Sequence, residues 1–185
     1  MPLKSVLSAA ALSVSLLAPG IALADTWTVD PAKSQLAFEV VQAGSPLTGV
    51  FETWTAEIEF DPDTPETAEI SAEITTLSAA TGNQQFDGTL PGRGWFNVNE
   101  FPVATFTTTE VSPAGDGAYV ANGTLTIRDI SLPIALAFTL DIEGDTATAK
   151  GEAKVNRTDY KLGAEVNGDT VGEVVTVTLD LTATR

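Results

Sequence analysis

Alternation of apolar and polar residues with period two runs through most of this chain. It restricts the fold more than any other feature, because only extended strands with one buried and one wet face read this way. Leu36, Phe38 and Val40 alternate with Gln35, Ala37 and Glu39, and Trp54, Ala56, Ile58 and Phe60 alternate with Thr53, Thr55, Glu57 and Glu59. Ile70, Ala72 and Ile74 continue the pattern, followed by Leu125 and Ile127, then Ile134 to Ile142, and finally Val175, Val177, Leu179 and Leu181. The chain carries 26 Thr, which favours strands over helices. One apolar face per strand is the signature of antiparallel sheets around a single core, so the fold class is all-β.

Turn residues fall between the runs, at Gly44-Ser45-Pro46, Asp61 to Pro65, Pro113 to Gly117, Glu143-Gly144-Asp145 and Asn167-Gly168-Asp169, as a meander of hairpins requires. The run from Val50 to Phe60 reads as one strand of about 36 Å, and Leu132 to Glu143 as another long one. Many long antiparallel strands need either a two-sheet sandwich or a closed barrel of about eight strands, and the latter is wide enough for one small apolar ligand. Ala56 and Ala72 among the inward residues suit a cavity, although tight cores use them too. Residues 81–101 lose the alternation and gather Phe86, Leu90, Trp95 and Phe96 among glycines and Pro91, which predicts a short helix or a lid-like loop.

With 185 residues the chain has room for one domain. Residues 1–24 read as a removable secretion signal: Lys4, an apolar run from Val6 to Leu17, Pro19-Gly20, and the small-x-small site Ala22-Leu23-Ala24 before Asp25. The apolar run is too short to span a bilayer, so the expectation is an exported, periplasmic domain over 25–185. A formal net charge of −16 argues against nucleic acid and against basic docking on anionic lipid. With no Cys and no His, the chain lacks disulfides, thiolate and imidazole metal ligands, and the usual base of a nucleophilic triad. No metal and no covalent cofactor is expected.

An ordered set of short segments carries a resemblance. It comprises Trp27-Thr28-Val29-Asp30-Pro31 with Ser34, Leu47-Thr48-Gly49-Val50-Phe51, Ile58-Glu59-Phe60-Asp61, Trp95-Phe96 with Phe101-Pro102, Gly123 to Ile130, and Asn156-Arg157-Thr158-Asp159-Tyr160. Together these resemble the YceI family of exported, lipocalin-like barrels along essentially the whole of 25–185. The resemblance implies an extended up-and-down barrel whose tunnel holds an amphiphile with a polyisoprenoid chain, a polyprenyl lipid or a quinone, in the periplasm. Some relatives look to be encoded with, or fused to, membrane cytochromes of the b561 type, which makes such a cytochrome a candidate partner. Two departures stand out: this chain has Phe86-Asp87 where the family commonly has a basic residue before Asp, and it lacks the His often found near the first strands.

On that reading the ligand-binding candidates are Phe38, Trp54, Ile58, Phe106, Leu125, Leu136, Phe138 and Val177 from the strands, with Phe86, Leu90, Trp95 and Phe96 from the insert. For each, plain core packing is the competing reading. Arg128 and Arg157 have forks suited to a ligand carbonyl or phosphate, or to salt bridges with this acidic chain. Asp61-Pro62-Asp63 with Glu66 lacks the glycine and distal Glu of a calcium loop and reads as a solvated turn. Gly92-Arg93-Gly94 is too short for a phosphate fingerprint, and the sequons at Asn122 and Asn156 are weak. The leading function is therefore a carrier or sequestering protein with no chemistry of its own. The alternatives are a carbohydrate-active enzyme, for which Glu52 is the sole carboxylate to nominate, and an accessory partner of a membrane redox protein.

Overall fold

The computed structural model describes residues 25–185, and the expected leader at 1–24 lies outside them. Among the described residues the strands are β1 (Thr26–Val29), β2 (Gln35–Gln42), β3 (Ser45–Phe51), β4 (Trp54–Glu59), β5 (Glu69–Thr75), β6 (Ala79–Ala80), β7 (Val103–Gly115), β8 (Ala118–Ile127), β9 (Ile130–Glu143), β10 (Thr146–Asn156) and β11 (Val171–Thr184). A six-residue helix, α1 (Gln84–Thr89), forms inside the insert, as the loss of alternation there predicts.

All the ladders are antiparallel. β1, β4, β5, β7, β8, β9, β10 and β11 follow one another around a ring that closes where Thr28 and Val29 of β1 pair with Thr184 and Ala183 of β11. The result is a closed eight-stranded barrel, and closure removes the edges of the ring itself. β2 continues the line of β1 along β11, β3 pairs with β2, and β6 pairs with β3, so these segments extend the same wall.

The continuous strand expected from Val50 to Phe60 is interrupted, and the physical cause lies in a neighbouring turn. The 3-10 turn Thr76–Ser78 intrudes between β5 and β6, and Ser78 takes over the local bonding. Glu52 N donates to Ser78 O at 3.1 Å and Thr53 N donates to Ser78 Oγ at 3.1 Å, so β3 ends at Phe51 and β4 begins at Trp54. The first hairpin also falls one residue earlier than the Gly-Ser-Pro cluster suggests. Ala43 and Gly44 both take positive φ, 47° and 82°, as a tight two-residue hairpin turn demands.

The two ends of the barrel are built differently. Trp27, Phe60, Val111, Ala121, Ala147, Leu181 and Ala183 form a buried cluster at the end that carries the β7–β8 and β9–β10 hairpins. Ile74, Phe96, Ala104, Ile127, Val155, Tyr160 and Leu162 form a second cluster at the other end, where the insert and the 157–170 connection cross the opening. We call these ends the floor and the mouth.

Candidate functional site

Between floor and mouth the barrel is hollow. The lumen has a volume of about 280 Å³, against the ~10–15 Å³ that accommodates one water, so it is a built cavity and not a packing defect. Below the mouth its wall is apolar. Ala56, Ala72, Ala104 and Ala153 leave width between the larger side chains. Two rings are also laid against the wall. Phe38 lies over Gly49, where a Cβ would come within 2.3 Å of Phe38 Cζ, and Phe106 lies over Gly123, where a Cβ would come within 2.7 Å of Phe106 Cε2. A side chain at either glycine would drive a ring into the lumen.

Phe38, Trp54, Ile58, Phe86, Leu90, Trp95, Phe96, Phe106, Leu125, Leu136 and Val177 all border this cavity. Phe138 does not. It stacks on Tyr119 (centroids 5.4 Å apart, 20° between planes) and meets Phe60 edge-on at 6.4 Å, within the floor. Sequence reasoning did not nominate Gln42, Leu47, Phe51, Thr89, Leu179 or Leu181, which border the cavity as well. The signal for Leu179 and Leu181 was in hand, since they share the alternating face of Val177; Gln42 and Thr89 have none, being polar.

Polar residues touch the cavity only at its mouth, namely Gln42, Thr81, Thr89 and Arg157, and three of them are already engaged. Thr81 donates through both its backbone N (2.7 Å) and Oγ1 (2.6 Å) to Asp87 Oδ1, and Thr89 Oγ1 donates to Gln85 O at 2.8 Å. The Gln42 amide makes no side-chain hydrogen bond among the described residues, which leaves it free to meet a polar group at the rim.

The insert is held in place by specific bonds. Asn83 caps α1 by accepting from Gln85 N and Phe86 N, and the Thr81 bonds hold the Asp87 carboxyl below its ordinary value of 3.8. At the other side Gly163 N donates to Gly94 O at 2.6 Å, which ties the insert to the 157–170 connection. That connection is organised by Arg157, 1% exposed. Its guanidinium donates to five carbonyls, Gly172 from Nε, Leu162 and Gly163 from Nη1, and Val166 and Val171 from Nη2. It also lies over the Trp95 ring, 5.7 Å from the centroid.

Salt bridging was the expected alternative to ligand contact for the two arginines, and among the described residues Arg157 joins no ion pair. All five of its donors are spent on backbone oxygens, and burial lowers its pKa while Glu173 opposes the shift. Arg128 likewise joins no ion pair among the described residues; its Nη1 donates to Lys161 O at 3.1 Å and its guanidinium lies over Phe101.

The remaining motifs fall outside the cavity. Asp61 Oδ1 accepts from Asp63 N at 2.8 Å and closes a turn, and no group of three metal-ligating side chains converges among the described residues. Glu52 is exposed in an outer crevice with Pro31, Ser34, Gln35 and Thr53. That crevice offers a single carboxylate, whereas glycoside hydrolysis uses a pair.

A closed up-and-down barrel with an apolar lumen and a capped mouth defines a lipocalin-like class of protein. Within that class the chain belongs to the YceI-like domain family, whose profile matches residues 27–183. It is 31% identical over 137 residues to a UPF0312 protein of Shewanella baltica, covering 72% of each chain. A UPF0312 protein of Pseudomonas savastanoi is 30% identical over 145 residues, covering 77% of this chain and 76% of that one. The fold superposes on Burkholderia cenocepacia BcnA with a TM-score of 0.81 and 27% identity, over 84% of this chain and 99% of that one. It also superposes on a Saccharophagus degradans structure described as a polyisoprenoid binding domain implicated in plant cell wall breakdown (TM-score 0.68, 18% identity, 88% and 99% covered).

Proposed function

We propose that this protein is an exported, periplasmic carrier or sequestering protein that holds the isoprenoid chain of a polyprenyl lipid or quinone inside the barrel and does no chemistry on it. The observation that carries the reading is the polarity gradient of the cavity, apolar from the floor to the mouth, with Gln42, Thr81, Thr89 and Arg157 at the rim. A long hydrocarbon chain gains ~0.8 kcal/mol for each buried CH₂, so such a lumen binds tightly without polar recognition. The same gradient orients the cargo, with the tail directed to the floor and the headgroup at the mouth beside Gln42. The Saccharophagus domain, of the same fold, supplies the precedent for this ligand class.

The leader expected at 1–24 would deliver the protein to the periplasm with Asp25 as its first residue. There a quinone-loaded carrier would have a membrane cytochrome of the b561 type as its natural partner, a proposal that rests on the family resemblance alone.

Purification of the processed protein from the periplasm of its native host, followed by organic extraction and mass spectrometry, tests the reading. The expected result is a stoichiometric polyprenyl lipid or prenylated quinone, with the headgroup read from the same spectrum. Recovery of lipid-free protein that also fails to take up added octaprenol would overturn it.

A further inference from the structure

Resting on that reading, we propose that the aromatic floor is a length gauge: the rings of Phe60, Tyr119 and Phe138 stop the isoprenoid tail and set how much of it the barrel hides. On β9, Leu136 belongs to the cavity wall, and Phe138, two residues and about 7 Å further along the strand, belongs to the floor. The same step occurs at the end of β4, where Ile58 borders the cavity and Phe60 does not. Tyr119 of β8, the direct ladder partner of Phe138, adds a third ring at the level where β4 and β9 change from wall to plug.

The rings meet across the lumen. Phe60 stands edge-on to Tyr119 at 5.3 Å and to Phe138 at 6.4 Å, while Tyr119 and Phe138 stack. The neighbouring strand adds no bulk here, for the ladder partner of Phe138 on β10 is Gly151, with Ala149 and Ala147 following toward the β9–β10 hairpin. The rings thus form the barrier together with the Trp27, Val111 and Leu181 side chains of the floor cluster. It is also held firmly, because Phe60 N donates to Asp25 O at 3.0 Å and Phe60 O accepts from Trp27 Nε1 at 3.0 Å. A tail arriving from the mouth meets a fixed stop.

Two substitutions move the stop in opposite directions. Phe138→Ala lowers it and joins the space below Leu136 to the lumen, whereas Leu136→Phe raises it. The full-length protein, its Phe138→Ala, Leu136→Phe and Val41→Thr variants are each equilibrated with a mixture of geranylgeraniol, octaprenol and undecaprenol, and the bound prenols are quantified by mass spectrometry, with circular dichroism to verify folding. Burying even two further methylenes corresponds to about tenfold in affinity, so the ratio of bound undecaprenol to geranylgeraniol should rise by about tenfold or more in Phe138→Ala and fall by a similar factor in Leu136→Phe. Val41, exposed on the outer wall, should leave the ratio unchanged. If Phe138→Ala does not fold, Leu136→Phe carries the test alone. Wild-type binding with the same ratio in every folded variant would overturn the gauge and leave the carrier reading standing, while no uptake of any prenol by the wild-type protein would overturn both.

Discussion

The floor and the mouth of this barrel share most of their strands and one alternating code, with β2 and β3 replacing β1 along the wall of the mouth, yet one half is solid and the other hollow. The difference lies in where large side chains are allowed to meet. In the floor Phe60, Tyr119 and Phe138 converge across the lumen, and the alanines of β10 pack beneath them. In the mouth half the large residues stay on the perimeter, two of them folded down over Gly49 and Gly123, and small residues face one another. The floor is thus filled by its own side chains, and the capacity to take up a ligand lies in the other half.

The largest effect expected from breaking that division is on stability. Trp27, 4% exposed and bonded to Phe60 O, should cost ~3–5 kcal/mol on replacement with Ala, measured by denaturant unfolding of lipid-free protein. Leu125→Ala, in a wall that already borders empty space, should cost clearly less in the same assay, because little new cavity surface is created. Equal losses would mean that the upper lumen is collapsed in solution.

Arg157→Met comes next. It removes the donor from five carbonyls, of which Leu162 O and Gly163 O are buried, and each buried group left unsatisfied costs ~1–3 kcal/mol. A loss of at least ~3 kcal/mol is expected, together with fast amide exchange across 157–172. Arg157→Lys should recover little of it, since an ammonium has three donors and no planar fork. Full rescue by Lys would reduce Arg157 to a charge.

Smaller effects fall on the lid. Phe86→Ala removes one partly exposed ring from the mouth and should weaken octaprenol retention by about tenfold, with little change in the unfolding of lipid-free protein. The Asp87 latch adds a pH signature. Its native carboxyl is held below 3.8 by the Thr81 bonds, so its contribution is present above that value and is lost as the pH falls through the lowered native value. Release of bound prenol should therefore accelerate in acid below about pH 4 in the wild type and show no such step in Asp87→Asn. Glu52→Gln, outside the cavity, should be the smallest perturbation, with prenol affinity unchanged and unfolding altered by under ~0.5 kcal/mol.

How much of this was legible in the sequence follows from side-chain size. β9 declares itself through Ile134 to Ile142, and β11 through Val175 to Leu181, because branched apolar residues alternate with polar ones. β10 does not, since its inward face is Ala147, Ala149, Gly151 and Ala153, and the alternation is invisible when its apolar partner is a methyl group or nothing. The insert was legible as a departure from period two, and its four large apolar residues do border the cavity. Phe138 was indistinguishable in sequence from its neighbour Leu136, because which of two inward residues faces space and which faces a ring depends on strands far away in the chain. Arg157 was singled out as a ligand contact or salt-bridge partner, but its actual acceptors were not legible: three lie in the 157–170 connection and two at the start of β11, and the sequence does not specify the path that gathers them.

The division into a hollow and a filled half is most directly tested by intermolecular nuclear Overhauser effects between octaprenol and protein labelled only at alanine methyl groups. Ala56, Ala72, Ala104 and Ala153 border the lumen, and Ala121, Ala147 and Ala183 lie in the floor cluster, so both halves report in one spectrum. The account predicts cross-peaks from the prenyl methyls to the first group and none to the second. Cross-peaks to the floor alanines, or none to the four alanines of the wall, would contradict it.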